Sequence, residues 1–304
     1  MKSVALFGHR GARGLLPENT LEGFAHARAL DLTGVEFDIG LSADGVAVVH
    51  HDPRPNPAYA RDPDGHYVDA DAPLLHDMPY ARIARYDIGR LLPGTEYAAR
   101  YPEQKPRDGA RIPSFDTALG TLAGLDMLVE VKTFPDRPDD TAPPEAMAEA
   151  AITVLRKHDA IADTVLYAFD WRVLRAASRL EPALRRCCLT EPDTVAAGGL
   201  WLDGADLGQF GGKLPRAVAA TGASVWAPFH DSLDQADLAE AHALGLRVIP
   251  WTVNTPEAFE RMIALGVDGM ISDRPDLART AIEAAGIAVA GPGFIRSVAP
   301  RICA

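Results

Sequence analysis

The sequence predicts an α/β protein folded as one closed (β/α)8 barrel of TIM type, and three observations carry that prediction. Short β-branched or apolar runs alternate with helical patterns along most of the chain, and such alternation implies parallel strands joined by crossover helices. The alternation yields eight strand units, the number that closes a barrel. The length, 304 residues, would allow two domains of roughly 150 residues each, but single α/β barrels also reach this size. A doubly wound open sheet is the competing architecture.

Taken in order, the strands are expected at residues 4–8, 35–39, 127–131, 164–168, 186–189, 224–227, 247–251 and 269–272. After the first strand, Asn19-Thr20-Leu21-Glu22 reads as a capping box that opens a helix to about Leu30, with Pro17 just outside. Residues 146–157, 171–180, 235–244 and 256–265 carry the same helical spacing of apolar positions, and Gly245 and Gly266 stand where a C-terminal glycine stops a helix. One strand-like piece, 205–209, has no place in this count. Residues 53–112, rich in Pro, Gly, Asp and Tyr, show almost no helical period. So long an irregular stretch is usually functional or a small subdomain. Lying between the second and third strands, it is expected to be a rim insertion within a single domain spanning 1–304 rather than a linker. The tail beyond Ala281 reads as a surface extension.

Composition excludes several classes. With 47% hydrophobic and 24% charged residues, the chain can bury a large core without disulfides. Thirty Lys and Arg against 42 Asp and Glu leave a net charge of −12, which argues against a nucleic-acid partner. No stretch approaches the roughly 20 apolar residues of a membrane span, and the start of the chain has too short an apolar run for a signal peptide. Cys187, Cys188 and Cys303 are an odd set without CxxC spacing. Reduced thiols, and hence a cytoplasmic location, are the expectation. Oligomeric state leaves no trace in the sequence.

The chemistry gathers at strand ends. In Val35-Glu36-Phe37-Asp38-Ile39 the period of two puts Glu36 and Asp38 on one face and Phe37 on the other, and Glu130 and Lys132 likewise share a face. On an exposed edge strand this would be ordinary solvated polarity. Barrel strands are covered on both faces, and an inward carboxylate there is costly unless paired or bound to a cation. An all-oxygen carboxylate set suits one hard divalent cation, Mg2+ or Ca2+, better than zinc. His9 follows the first strand and His51 ends the apolar run 46–51. Both are expected at C-terminal strand ends, where barrel active sites form, and histidine suits proton transfer near neutrality. Asp52 is placed either to orient His51 or to open the turn at Pro53, while alternation should point His50 the opposite way. Arg10 and Lys132 supply charge for an anionic substrate. A cation, an arginine, a lysine and two proton-transfer groups around one point make a phosphodiester site. Gly11 and Gly14 form neither a Walker loop nor a GxGxxG motif, which argues against a nucleotide cofactor.

These residues resemble the glycerophosphodiester phosphodiesterase family. The resemblance rests on His9-Arg10-Gly11, Pro17-Glu18-Asn19-Thr20, Glu36-Phe37-Asp38, His51-Asp52-Pro53 and Glu130-Val131-Lys132, closed by Trp251-Thr252-Val253-Asn254 and Gly269-Met270-Ile271-Ser272-Asp273-Arg274-Pro275. It runs from about residue 4 to 279. It implies a TIM barrel with a rim insertion that hydrolyses small glycerophosphodiesters to sn-glycerol 3-phosphate and an alcohol. It further implies His9 and His51 as the acid/base pair, Glu36, Asp38 and Glu130 as ligands of the divalent cation, Arg10 and Lys132 on the phosphate, and Trp251 in the substrate pocket. Ala168 stands where the family often has serine, and the tail has no family counterpart. Two other readings remain: a lysophospholipase D, whose apolar groove would run along the insertion tyrosines Tyr59, Tyr67, Tyr80, Tyr86 and Tyr97, and a catalytically silent barrel that binds phosphate esters.

Overall fold

A computed structural model describes residues 3–301, so Cys303 lies outside the described residues. The strands are β1 (Ser3–His9), β2 (Gly34–Leu41), β3 (Ala47–Val49), β4 (Asp126–Val131), β5 (Thr164–Ala168), β6 (Arg185–Thr190), β7 (Val225–Pro228), β8 (Arg247–Val248), β9 (Gly269–Ser272) and β10 (Ala288–Val289). Neighbours β1, β2, β4, β5, β6, β7 and β8 are parallel in that order, and β9 returns to pair with β1. Backbone bonds from Asp268 N to Val248 O (3.1 Å) and from Ile271 N to Pro250 O (3.0 Å) join β8 to β9. The ring of eight parallel strands is a TIM barrel. The expected strand 247–251 is cut to Arg247–Val248 because Pro250 has no N–H to donate, yet Trp251 N resumes the ladder on Pro228 O at 3.2 Å.

Helices α1 (Leu21–Ala29), α2 (Tyr80–Ile83), α3 (Glu96–Arg100), α4 (Phe115–Leu122), α5 (Pro144–Lys157), α6 (Trp171–Leu180), α7 (Pro192–Ala196), α8 (Leu214–Ala220), α9 (Gln235–Ala243), α10 (Pro256–Leu265), α11 (Pro275–Ala284) and α12 (Phe294–Ser297) complete the chain. Thr20, not Asn19, caps α1 by accepting from Gly23 N at 3.0 Å, and the expected capping box does not form because Gly23 stands at its third position while Asn19 donates to Asp38. Gly266 ends α10 at φ +87°, a left-handed conformation that favours glycine. The piece 205–209 is no strand; a 3-10 turn covers Leu207–Phe210. Outward strand residues pack under the helices, as where Phe37 meets Phe24 and Phe115 at centroid distances of 5.3 and 5.6 Å.

Two features depart from the sequence reading. The run before His51 is not a barrel strand: β3 pairs antiparallel with β2, Ile39 opposite Val49, and leads the chain back down into the mouth. The tail is not a surface extension. Ile295 and Val298 are buried in the barrel interior with Phe7, Leu128 and Val225. The Asp126 carboxylate accepts from Gly293 N (2.9 Å) and Ile295 N (2.8 Å), and Arg185 donates to Val298 O and Arg296 O. The tail therefore plugs the end of the barrel remote from the strand C-termini.

Residues 53–112 join β3 to α4 and hold α2 and α3. Tyr59, Leu75, Met78, Ile83 and Tyr86 form a small cluster on Val48. Tyr59 and Tyr86 are buried in it, and Tyr97 turns its hydroxyl to Glu18. These three pack rather than line a groove. Among the described residues no helix is long and apolar enough to cross a membrane.

Candidate active site

The site begins where β1 ends. A Cβ on Gly8 would lie 1.8 Å from Gly11 O, so only glycine allows the chain to turn this tightly. Arg10 adopts φ +51° in that turn, a strained state for a side-chain-bearing residue that tends to mark functional positions. Its guanidinium reaches Glu18 (2.7 Å) and Asp38 (3.1 Å), and its backbone N–H donates to Glu36 at 3.2 Å.

Glu36 and Asp38 of β2 share the inward face as alternation requires, and the parallel register sets Asp38 beside Glu130 of β4. One oxygen from each of Glu36, Asp38 and Glu130 lies within 4.8 Å of the others. Burial and the neighbouring Asp38 and Glu130 push the Glu36 carboxyl well above its ordinary range. Burial pushes Glu130 up to about 7 against the pull of Lys132. Burial acts on Asp38 in the same sense but is outweighed by Arg10, His51 and Lys132, which hold it below the carboxylate range. Asp38 Oδ1 is buried without a hydrogen-bond partner, and Lys132 Nζ stays 3.8 Å from it. Three like-charged groups crowded together, with one acceptor orphaned, fit a divalent cation with oxygen ligands.

The two histidines reach this cluster from different elements. His9 Nδ1 lies 2.6 Å from Asp273 Oδ1, just past β9, and its Nε2 is 3.6 Å from Glu36. Asn254 donates to the other Asp273 oxygen at 2.7 Å. His51 Nδ1 lies 2.8 Å from Asp52, which Asn56 secures at 2.6 Å, and Nε2 faces Lys132 Nζ at 3.1 Å. Asp52 therefore orients His51. A carboxylate on Nδ1 holds the proton there and leaves Nε2 as the lone-pair nitrogen of both rings. Burial and Arg13 lower His9 to about 4 despite Asp273; burial, Arg10 and Lys132 lower His51 to about 4. His50 points away as alternation predicts: it is fully buried, with Nε2 3.1 Å from Arg54 O.

A cavity of about 470 Å³ opens onto His9, Arg10, His51, Glu130 and Lys132, and Trp251 is part of its wall. The Trp251 ring N–H donates to Ala227 O at 3.0 Å and so holds the indole edge-on to Phe169. Every residue singled out for chemistry thus converges on one mouth. The sequence reading missed Arg13, which Asp273 holds at 2.6 Å, and it gave Asp273, Asn254 and Glu18 no role. Asp273 was within reach, since it follows the last barrel strand as His9 ends the first, and β9 pairs with β1.

The model of the glycerophosphoryl diester phosphodiesterase family matches residues 9–277. A glycerophosphodiester phosphodiesterase of Caldanaerobacter subterraneus is 25% identical over 91% of this chain and 96% of its own. A crystal structure from Silicibacter pomeroyi, provisionally named a glycerophosphoryl diester phosphodiesterase, superposes with a TM-score of 0.86 at 35% identity, covering 94% of this chain and 95% of that one. An Oleispira antarctica phosphodiesterase, crystallised with sn-glycerol 3-phosphate, shares the fold with a TM-score of 0.67 at 21% identity over 92% and 96% of the two chains. The match takes in the carboxylates, both histidines and the aspartate behind His9, and by it the chain belongs to the glycerophosphoryl diester phosphodiesterase family.

Proposed function

We propose that the barrel mouth hydrolyses glycerophosphodiesters to sn-glycerol 3-phosphate and an alcohol, using His9 and His51 for proton transfer and one divalent cation, Mg2+ or Ca2+. The observation that carries this reading is the convergence of Glu36, Asp38 and Glu130 within 4.8 Å, with a histidine and a cationic side chain on either hand. The cation, held by the three carboxylates, would neutralise charge on a phosphoryl oxygen. Arg10 and Lys132 bind the remaining anionic oxygens. Both histidines are neutral at pH 7 in the free protein, so either Nε2 can take the proton of the attacking group. A phosphate beside Arg10 and Lys132 offsets the two cations that depress His51, which lets His51 carry a proton when substrate is bound. One ring accepts a proton as the other delivers one to the leaving oxygen; in the net reaction the water oxygen joins phosphorus and a water proton leaves on the alcohol. The bound sn-glycerol 3-phosphate of the Oleispira antarctica protein supports this choice of product. The buried, free thiols Cys187 and Cys188 support a cytoplasmic location.

The test is product analysis on a panel of glycerophosphodiesters and lysophospholipids with Mg2+, with Ca2+ and with chelator. Release of sn-glycerol 3-phosphate is expected. Release of a lysophosphatidate alone would assign lysophospholipase D activity instead, and binding without turnover would make the barrel a silent phosphate-ester receptor.

A further inference from the structure

The mouth has two chemically distinct halves. Strands β1, β2 and β4 carry the histidines, carboxylates and cations described above. The rim segments following β5, β6 and β8 lie across the ring and line the same cavity with Phe169, Trp201 and Trp251, edged by Glu191 and Asp193. Phe169 stands between the two indoles, nearly perpendicular to both, at 6.5 Å from Trp201 and 5.3 Å from Trp251. Trp201 is fixed from behind, its carbonyl accepting from Trp171 N at 2.9 Å. The Phe169 ring already attracts one of the chain's own cations, Lys132 Nζ at 5.7 Å from its centroid. Glu191 and Asp193 form no ion pair among the described residues. Glu191 caps α7 through its capping box with Thr194, and Asp193 lies in the first turn of the same helix, so both carboxylates are held at the cavity edge.

We propose that this aromatic and acidic half is a subsite for a positively charged alcohol, so that the preferred substrate is a glycerophosphodiester whose leaving alcohol carries a quaternary ammonium group. The inference rests on the phosphodiesterase reading of the mouth and names its substrate class. A quaternary ammonium donates no hydrogen bond and is recognised by aromatic faces and nearby negative charge. The subsite supplies both, within a cavity of about 470 Å³. A primary ammonium would draw on the carboxylates more than on the rings, and a neutral polyol would gain from neither charge nor ring faces. With the phosphate on Arg10 and Lys132, the two ends of such a substrate meet potentials of opposite sign. That arrangement fixes which phosphodiester substituent leaves.

The experiment is initial-rate kinetics of the cation-loaded full chain on three glycerophosphodiesters that differ only in their alcohol: choline, ethanolamine and glycerol. Wild type, Glu191→Gln and Trp201→Leu are compared, with thermal melts to verify folding. Wild type is expected to show kcat/KM for the choline diester about tenfold or more above that for the glycerol diester, as a desolvated cation–π contact combined with a nearby carboxylate implies. Each variant should collapse most of that ratio, and either one that folds suffices. Equal kcat/KM on the choline and glycerol diesters in wild type overturns the subsite, as does a pair of variants that lower all three substrates alike. A preference for the ethanolamine diester overturns the quaternary assignment. Hydrolysis without head-group preference leaves the phosphodiesterase reading standing. Hydrolysis of none of the three refutes that reading and the subsite with it.

Discussion

Asp273→Asn isolates the orientation of His9 from its presence. Asp273 Oδ1 stands 2.6 Å from His9 Nδ1 and 2.6 Å from Arg13 Nε, and Oδ2 accepts from Asn254. Asp273 is buried, and although burial opposes its ionisation, Arg13 and His9 keep the carboxyl well below its usual range. It is therefore an anion at any pH where the enzyme works. The amide keeps the shape but removes the charge that holds the proton on Nδ1. A hydrogen bond to a charged partner contributes about 1.5–3 kcal/mol, and at 1.36 kcal/mol per tenfold its loss from the transition state predicts roughly a 10- to 150-fold fall in kcat. KM should change less, because the substitution leaves Arg10 and Lys132, the proposed phosphate contacts, in place. The assay is steady-state kinetics of Asp273→Asn, His9→Ala and the double variant. If Asp273 acts through His9, the double variant should be scarcely slower than His9→Ala alone. Wild-type kcat in a well-folded Asp273→Asn protein would refute the reasoning, as would losses that simply multiply.

The remaining expectations concern the histidines, the cation and the plug. His51→Ala should lose about 10²–10⁴-fold in kcat, whereas His50→Ala, whose ring points away from the cavity, should lose stability and little turnover; equal kinetic damage in folded proteins contradicts the assigned orientations. Because Glu36 and Glu130 are pushed up in the cation-free protein, the latter to about 7, a binding cation must displace their protons. Affinity for Mg2+ or Ca2+, measured by calorimetry, should weaken as pH falls from 8 to 6, and a pH-independent Kd would contradict the ligand set. Ile295→Ala removes a fully buried side chain from the barrel end and should cost about 2–5 kcal/mol in chemical denaturation while leaving KM unchanged. No loss of stability would mean that the tail is no plug.

Most of the site is visible in the sequence because strand alternation is rigid. Once Glu36 and Asp38 are two apart on a covered strand, both must face inward, and the same holds for Glu130 with Lys132. The hairpin return of β3 was missed because the run 46–51 has the composition of a barrel strand; only the three-residue pairing with β2 reveals its direction. The tail was misread because its apolar residues, Ile295 and Val298, are too few to show a period. Their burial depends on a cavity that exists only after the ring closes. Asp273 and Arg13 were overlooked for a related reason: Asp273 lies 264 residues from His9 and 260 from Arg13, and only the β1–β9 closure brings them together. Local patterns specify faces and caps, whereas long-range partners become legible only with the register.

The most direct measurement is sn-glycerol 3-phosphate release from a glycerophosphodiester by enzyme stripped with chelator and then titrated with Mg2+ or Ca2+, beside Glu130→Gln treated the same way. Stripped wild-type protein is expected to be inactive and to recover on titration, and Glu130→Gln to need more cation for the same recovery while melting as a folded barrel. Full turnover by cation-free wild type would contradict the role assigned to Glu36, Asp38 and Glu130.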